Sequence, residues 1–310
     1  MSILKNFYKK NNTKVESVSG TKGERDKILK HKISKKKTEM LNQDINNETL
    51  DKRESKSEPR RIAIVSGKGG IGKTTLAINL GYLLNKEFNM DNVVVDCNMT
   101  TPHLGVNLGL YNVDITLNHI LKDESKIGDA IFEHNTGVKV IPSSLKLTDL
   151  TGIDMFRLPE KLEELNMHVI LDSAPGLGRE GLAAISAADE ILFVTQPYTS
   201  AVVDLYRCRK IAEKLDKKIL GIVVNNRKNR NHELTDKEIE KITEIPVIGS
   251  IPHDLEIERA LVKKLPLSFY NPKAKSNDAL YSLASTIAGF EVKRKKTFFE
   301  NILNSFRLNF

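Results

Sequence analysis

The apolar run Ile62-Ala63-Ile64-Val65 gives way to Ser66-Gly67-Lys68-Gly69-Gly70-Ile71-Gly72-Lys73-Thr74-Thr75, after which apolar residues recur with helical spacing over residues 73–84. Residues 67–74 satisfy G-x-x-x-x-G-K-[ST], and they do so between an expected strand and an expected helix, the context that turns a pattern into a site. Glycines let backbone N–H groups converge on an anion, and the helix that follows aims its positive end at the same point. Lys73 is expected to reach the β- and γ-phosphate oxygens of a nucleoside triphosphate. The Thr74 hydroxyl is expected to ligate Mg²⁺, and Gly67, Lys68, Gly69, Gly70, Ile71, Gly72 and Thr75 complete the cradle. One lysine suffices for such a loop, so Lys68 calls for a separate explanation.

Strand, glycine loop and helix form the opening unit of a parallel α/β sheet. Further short runs rich in Val, Ile and Leu follow at 93–95, 138–141, 168–171, 191–194, 219–224 and 247–251, separated by helical patterns at 181–188, 201–215 and 234–242. Near-continuous apolar strands belong to sheets buried on both faces. The expected fold is therefore a doubly wound, mostly parallel α/β sheet of the P-loop NTPase kind, closed by a last helix over about 277–292.

In this sheet type ligands bind beyond the carboxyl ends of the strands, so acidic residues emerging there are candidates for the site. Asp172 follows His168-Val169-Ile170-Leu171 and is the candidate for holding Mg²⁺ through water. Asp96 follows Val93-Val94-Val95 and is a parallel candidate near the γ-phosphate. The bland alternative for either is a loop-capping aspartate.

The net charge of +8 is uneven: residues 1–60 hold 16 Lys and Arg against 9 Asp and Glu, residues 293–310 hold 5 against 1, and the stretch between is slightly acidic. An anionic partner would accordingly be met at the ends. Residues 1–59 are expected to be a basic, largely flexible arm, 60–292 the nucleotide domain, and 293–310 a basic amphipathic segment. The two cysteines, Cys97 and Cys208, are far apart in sequence and form no C-x-x-C pair, which argues for a reducing cytoplasmic setting and against a cysteine-held metal or cluster. Cys208 falls within the 201–215 helix and reads as a small packing residue.

The loop Gly67-Lys68-Gly69-Gly70-Ile71-Gly72-Lys73-Thr74-Thr75 resembles the deviant Walker-A motif of the MinD/ParA ATPases, within the SIMIBI division of P-loop proteins. The resemblance covers about 61–292. Asp96-Cys97-Asn98-Met99-Thr100 resembles the family's second acidic motif, in particular that of archaeal MinD-like members, and Leu171-Asp172-Ser173-Ala174-Pro175-Gly176 resembles Walker B with switch II. Val224-Asn225-Asn226 resembles the adenine-reading loop and Ile251-Pro252-His253-Asp254 the loop that closes over the base, which implies nucleotide-binding roles for Asn225, Pro252 and Asp254. It also implies that Lys68 reaches across a nucleotide-sandwich homodimer to the partner's phosphates, making assembly depend on ATP. Lys68, Lys73, Asp96, Asn98 and Asp172 are thus the implied catalytic set. One departure stands out: where relatives carry Asp-x-Asp, this chain has Asp96-Cys97-Asn98. The residue that positions the attacking water is then an amide, so hydrolysis is expected to be slow without an activating partner.

At the C-terminal end Phe298, Phe299, Ile302, Leu303 and Phe306 share a helical sector of about 140°, preceded by Lys293-Arg294-Lys295-Lys296. A basic cluster with an aromatic amphipathic helix is the recipe for peripheral binding to an anionic membrane. It also resembles the membrane-targeting helix of MinD proteins. Ile3, Leu4, Phe7 and Tyr8 repeat the arrangement beside Lys5, Lys9 and Lys10. The expected protein is an ATPase cycling between cytoplasm and membrane to position division or other polar machinery, with an unidentified activator or cargo. A DNA-partitioning ATPase and a flagellar-placement ATPase of the same family are the alternatives. Three phenylalanines on one face favour lipid over DNA.

Overall fold

The computed structural model describes residues 58–290. The expectations for residues 1–57 and for the 293–310 segment, including Phe298, Phe299, Ile302, Leu303 and Phe306, concern residues outside the described ones. The chain runs β1 (Arg61–Val65), α1 (Lys73–Phe88), β2 (Asn92–Cys97), α2 (Leu104–Asn107), α3 (Leu117–Leu121), β3 (Phe132–Glu133) and β4 (Lys139–Ile141). It continues through α4 (Leu158–Leu162), β5 (His168–Ser173), α5 (Arg179–Ala187), β6 (Glu190–Thr195), α6 (Thr199–Lys214), β7 (Lys218–Arg227) and α7 (Asp236–Thr243). It closes with β8 (Val247–Pro252), α8 (Leu255–Val262), α9 (Leu267–Tyr270) and α10 (Asn277–Ile287).

The strands form one sheet in the order β3-β4-β2-β5-β1-β6-β7-β8, parallel throughout except for β3, which pairs antiparallel with β4 at the edge. Because strand side chains alternate between faces, each strand feeds two cores. Ile62, Ile64, Val94, Ile170, Leu192 and Val223 pack with α1 and α10 on one side. Ala63, Val95, Leu171, Phe193 and Val224 pack with α5 and α6 on the other. The doubly wound expectation holds. Phe193 is fully buried at the centre, a position worth roughly 2–3 kcal/mol relative to exposure.

Two local features explain departures from the sequence pattern. Gly221 sits within β7 at φ 147, and a Cβ there would lie 2.6 Å from Ile248 Cγ2, so the β6–β7 register shifts at this point. The last helix ends at Ile287 rather than near 292: Gly289, at φ 80, takes the left-handed conformation that stops a helix. Among the described residues no helix is long and apolar enough to cross a membrane.

The chain steps outward from β1 to β2, returns to place β5 between them, and then crosses to β6 on the far side of β1. That reversal puts the carboxyl end of β1 at the crevice where open α/β sheets bind ligands.

Candidate functional site

Residues 66–72 leave β1 at this crevice. Gly70 and Gly72 have φ 72 and 98, a region closed to most side chains. A Cβ on Gly72 would also lie 2.3 Å from Asn225 Nδ2, so the close approach of β7 to the loop requires glycine. The first turn of α1 receives no side-chain cap among the described residues. Its N–H groups are therefore left to an incoming anion.

Lys73 is buried in this cradle. Its Nζ donates to Ser66 Oγ at 2.9 Å, and Ser66 donates in turn to the Lys68 carbonyl at 2.7 Å. Burial lowers the Lys73 pKa, and the Asp172 carboxylate works against that shift. Gly176 N–H donates to the Ser66 carbonyl at 2.9 Å, tying the loop after β5 to the phosphate loop.

Asp172 and Asp96 are directly opposed across the β5–β2 pairing, and both are buried. Their environments differ. Asp96 accepts the N–H of Asn98 through Oδ1 and the N–H of Leu104 through Oδ2, both at 3.1 Å, so its carboxylate ties down both ends of the 98–104 loop. Asp172 lies beside the Thr74 hydroxyl, and its Oδ1 has no hydrogen-bond partner among the described residues. Burial pushes the Asp172 pKa up to about 6, with Thr74 and Lys73 pulling the other way, and burial next to Asp172 raises Asp96 well above the carboxylate range. An orphaned buried carboxylate oxygen beside a threonine hydroxyl is the hard-oxygen donor set that suits Mg²⁺. Thr74 and Asp172 therefore fit the ion.

Asn98 is half-buried, and its Oδ1 accepts the Thr101 hydroxyl at 3.0 Å. Thr100 is fixed to α5, its N–H and Oγ1 both reaching Glu180 Oε1, at 2.9 and 2.6 Å. The loops after β2 and β5 thus meet, lining an open cleft of about 490 Å³ between Asn98, Thr101, Met155, Pro175 and Arg179.

Lys68 stands apart from Lys73. It is 43% exposed, 3.9 Å from Asp204 Oδ2 on α6, and the neighbouring Gly67 is so close to Asp204 that a Cβ would lie 2.4 Å from that residue's own. Nothing in the local sequence marks Asp204 as its neighbour.

A second cavity of about 270 Å³ opens beside Gly72, lined by Thr75, Asn225, Pro252 and Asp254 among others. The expected base-binding residues are therefore gathered in one place. Asn225 Nδ2 donates to the Ile71 carbonyl at 2.7 Å. Asp254 lines the cavity with its carboxylate already engaged: Oδ1 caps α8 at Glu256 N–H and Oδ2 accepts from Ser276 N–H and Oγ. Sequence reasoning assigned no role to His253 and missed Gln196, Lys228 and Glu258, all of which line the cavity. His253 Nδ1 meets Asn226 Oδ1 at 2.9 Å, joining the two loops that flank it. Cys208 is buried as expected, its thiol pushed up to about 11 by burial.

The family described as the CobQ/CobB/MinD/ParA nucleotide binding domain matches residues 62–267. An uncharacterized ATP-binding protein of Methanocaldococcus jannaschii is 37% identical over 76% of this chain and 90% of its own length. The cell division ATPase MinD of Pyrococcus furiosus superposes with TM-score 0.71 at 30% identity, over 74% of this chain and 98% of that one. The septum site-determining protein MinD of Pyrococcus horikoshii, solved as a complex with Mg-ADP, gives TM-score 0.70 at 28% identity, over 74% of this chain and 96% of that one.

Proposed function

The chain belongs to the CobQ/CobB/MinD/ParA nucleotide-binding family, and from that premise we propose that it is an ATPase that dimerises on ATP, binds an anionic membrane surface reversibly and uses hydrolysis to position cell-division or other polar machinery. The observation that carries this reading is the separation of the two loop lysines. Lys73 fills the cradle, whereas Lys68 remains exposed at its rim. A cation at the rim is available to phosphates held by a second copy and binds that copy only while they are present.

Within one site, the N–H groups of the loop and of α1 hold the phosphates, and Lys73 neutralises the bridging charge. Thr74 and Asp172 would hold Mg²⁺, which would offset negative charge on the bound phosphates. Asn98 lies on the loop that faces them and orients water without acting as a strong base, so basal turnover is slow and an activator is required. Phe298, Phe299, Ile302, Leu303 and Phe306 supply the lipid-facing surface. A dimer carries two such segments, and the second binds at the high local concentration set by the first.

Sedimentation with anionic vesicles tests the reading, comparing ATP plus Mg²⁺ with ADP for the full chain and for I302E/L303E. Pelleting that requires ATP and is lost in the variant supports it. No pelleting in either nucleotide, with salt-sensitive ATP-dependent binding to duplex DNA in the same samples, overturns it in favour of DNA partitioning.

A further inference from the structure

Three attachments hold the loop that carries Asn98. Asp96, on the loop's own strand, fixes the N–H groups of Asn98 and Leu104 at 3.1 Å each. Met99 is buried in the core that Ala183 and Ala184 of α5 also enter. Thr100 is exposed, and what fixes it comes from a different element. Glu180 Oε1 accepts both the Thr100 N–H, at 2.9 Å, and its Oγ1, at 2.6 Å. Two donors of one residue on one carboxylate oxygen fix its backbone and its side chain together, and bonds to an ionised acceptor are about twice as strong as neutral ones.

Glu180 is in turn placed by the phosphate loop. It stands in the first turn of α5, and a Cβ on the next residue, Gly181, would lie 2.4 Å from the Gly176 carbonyl oxygen. That turn is therefore pressed onto the loop after β5. Gly176 donates its N–H to the Ser66 carbonyl at 2.9 Å, and Ser66 Oγ accepts from Lys73 Nζ at 2.9 Å. Contacts thus run without a gap from the cradle lysine through Ser66, Gly176 and the start of α5 to Glu180, and across to Thr100, two residues from Asn98.

We propose that Glu180 is a positioning residue for hydrolysis: acting through Thr100, it fixes where the Asn98 amide stands relative to the phosphates in the cradle. This inference rests on the ATPase reading above and adds to it the group that aims the water-orienting residue. An acidic residue in a first turn has a simpler use, as a charge complementing the helix dipole. The hydrogen bonds separate the two roles. Glu180 directs its oxygen to the facing loop, and α5 has no side-chain cap among the described residues. Glutamine removes the charge that a dipole would need and keeps the acceptor oxygen that Thr100 needs.

Phosphate release from ATP plus Mg²⁺ tests this on the full chain for Glu180→Ala and Glu180→Gln, each with Asn98 and in an Asn98→Asp background. Urea unfolding confirms that every chain is folded, and calorimetry gives ADP affinity. Displacing an aimed group by an ångström costs up to about a hundredfold, so Glu180→Ala should lower kcat by about tenfold, with KM and ADP affinity within about twofold of the unaltered chain. Glu180→Gln should recover most of that loss. In Glu180→Ala the rate gained by Asn98→Asp should disappear, because a carboxylate out of place is no better than an amide out of place. Amide exchange at residues 98–101 should rise. A kcat in Glu180→Ala equal to or above that of the unaltered chain overturns the inference and leaves the ATPase reading standing. Equal losses in the alanine and glutamine variants assign Glu180 to the helix charge and overturn it, and so does a loss of ADP affinity as large as the loss of kcat. No phosphate release from either the unaltered chain or Asn98→Asp overturns the ATPase reading and this inference with it.

Discussion

Asn98→Asp places at this position the carboxylate that the family resemblance implies, at almost constant volume. The backbone need not move, because the loop is held by Asp96 through the N–H of residue 98 and by Glu180 through Thr100. In the present chain Thr101 donates to Asn98 Oδ1 at 3.0 Å, and the remaining amide function gives a water no basic partner. A carboxylate keeps the Thr101 bond and offers a second oxygen as acceptor. General-base or water-orienting groups contribute about 10²- to 10⁴-fold, of which an amide already supplies the orienting part, so a gain of roughly tenfold in basal turnover is expected, about 1.4 kcal/mol off the barrier. The opposing effect is repulsion. Two residues of extended chain span about 7 Å, and a new charge at about that distance from the Asp96 carboxylate costs about 0.6 kcal/mol in water and about 2.4 kcal/mol at an effective dielectric near 20. Asn98 is only half-buried, so solvent screening places the cost toward the low end of that range. The assay is phosphate release at saturating ATP and Mg²⁺, with nucleotide affinity measured separately. In the N98D background, Thr101→Val should remove part of the gain. A change below twofold with nucleotide binding intact would refute the reasoning.

Gly72→Ala should abolish nucleotide binding, since the residue has φ 98 and its Cβ would lie 2.3 Å from Asn225 Nδ2; calorimetric titration with ADP and Mg²⁺ checks it. Asp172 has a folded pKa of about 6, above its ordinary value, so its contribution favours the fold at low pH and is lost as pH rises from about 4 through 6. Unliganded Tm should fall across that window and flatten in Asp172→Asn, while Mg²⁺-dependent nucleotide affinity should weaken below about pH 6 and vanish in the variant. Glu190 bridges Arg60 and Lys218, both of which reach solvent, so Glu190→Ala should cost about 1–2 kcal/mol in urea unfolding by removing two charge-assisted hydrogen bonds, Arg60 keeping the Ile287 carbonyl. Asp204→Asn removes a loose, half-exposed pair with Lys68, worth under about 1 kcal/mol; ATP-dependent dimerisation, followed by sedimentation velocity, should strengthen by no more than about fivefold.

Seven of the eight strands were legible because each reads as an apolar run: the central strands are buried on both faces, and the edge strand β8, mostly half-buried, carries the same Val and Ile residues. β3 escaped: it is two exposed residues at an edge, Phe132 and Glu133, where no burial constrains the sequence. The short helices α2, α3, α4, α8 and α9 escaped for a related reason. Four of them, at four or five residues, are too brief to display a helical period, and they are held by tertiary packing, largely against neighbouring helices. The last helix was drawn too long because Ala288 and Phe290 continue the apolar pattern, while Gly289 decides the end.

The site divides along the same line between local and distant determinants. The phosphate loop is a contiguous string whose glycines answer to backbone geometry within the string itself, and it can be read without knowing anything else about the chain. The neighbours that set the behaviour of Lys68, Asn98 and Thr100 come from elsewhere: Asp204 lies on α6, more than 130 residues away, and Glu180 opens α5. Neither belongs to a pattern of its own, since an acidic residue on a helix surface is ordinary. Asp96 shows the converse. A strand-terminal aspartate suggested chemistry, and the structure finds both its oxygens spent on the N–H groups of Asn98 and Leu104. A carboxylate so engaged holds the loop that carries Asn98. Asp96→Asn can donate where Asp96 accepts from two N–H groups, so it should disorder the 98–104 loop and raise its hydrogen-exchange rate, while Asp172→Asn should leave that exchange unchanged. Equal exchange in the Asp96 variant and the unaltered chain would return Asp96 to the list of groups that meet the nucleotide directly.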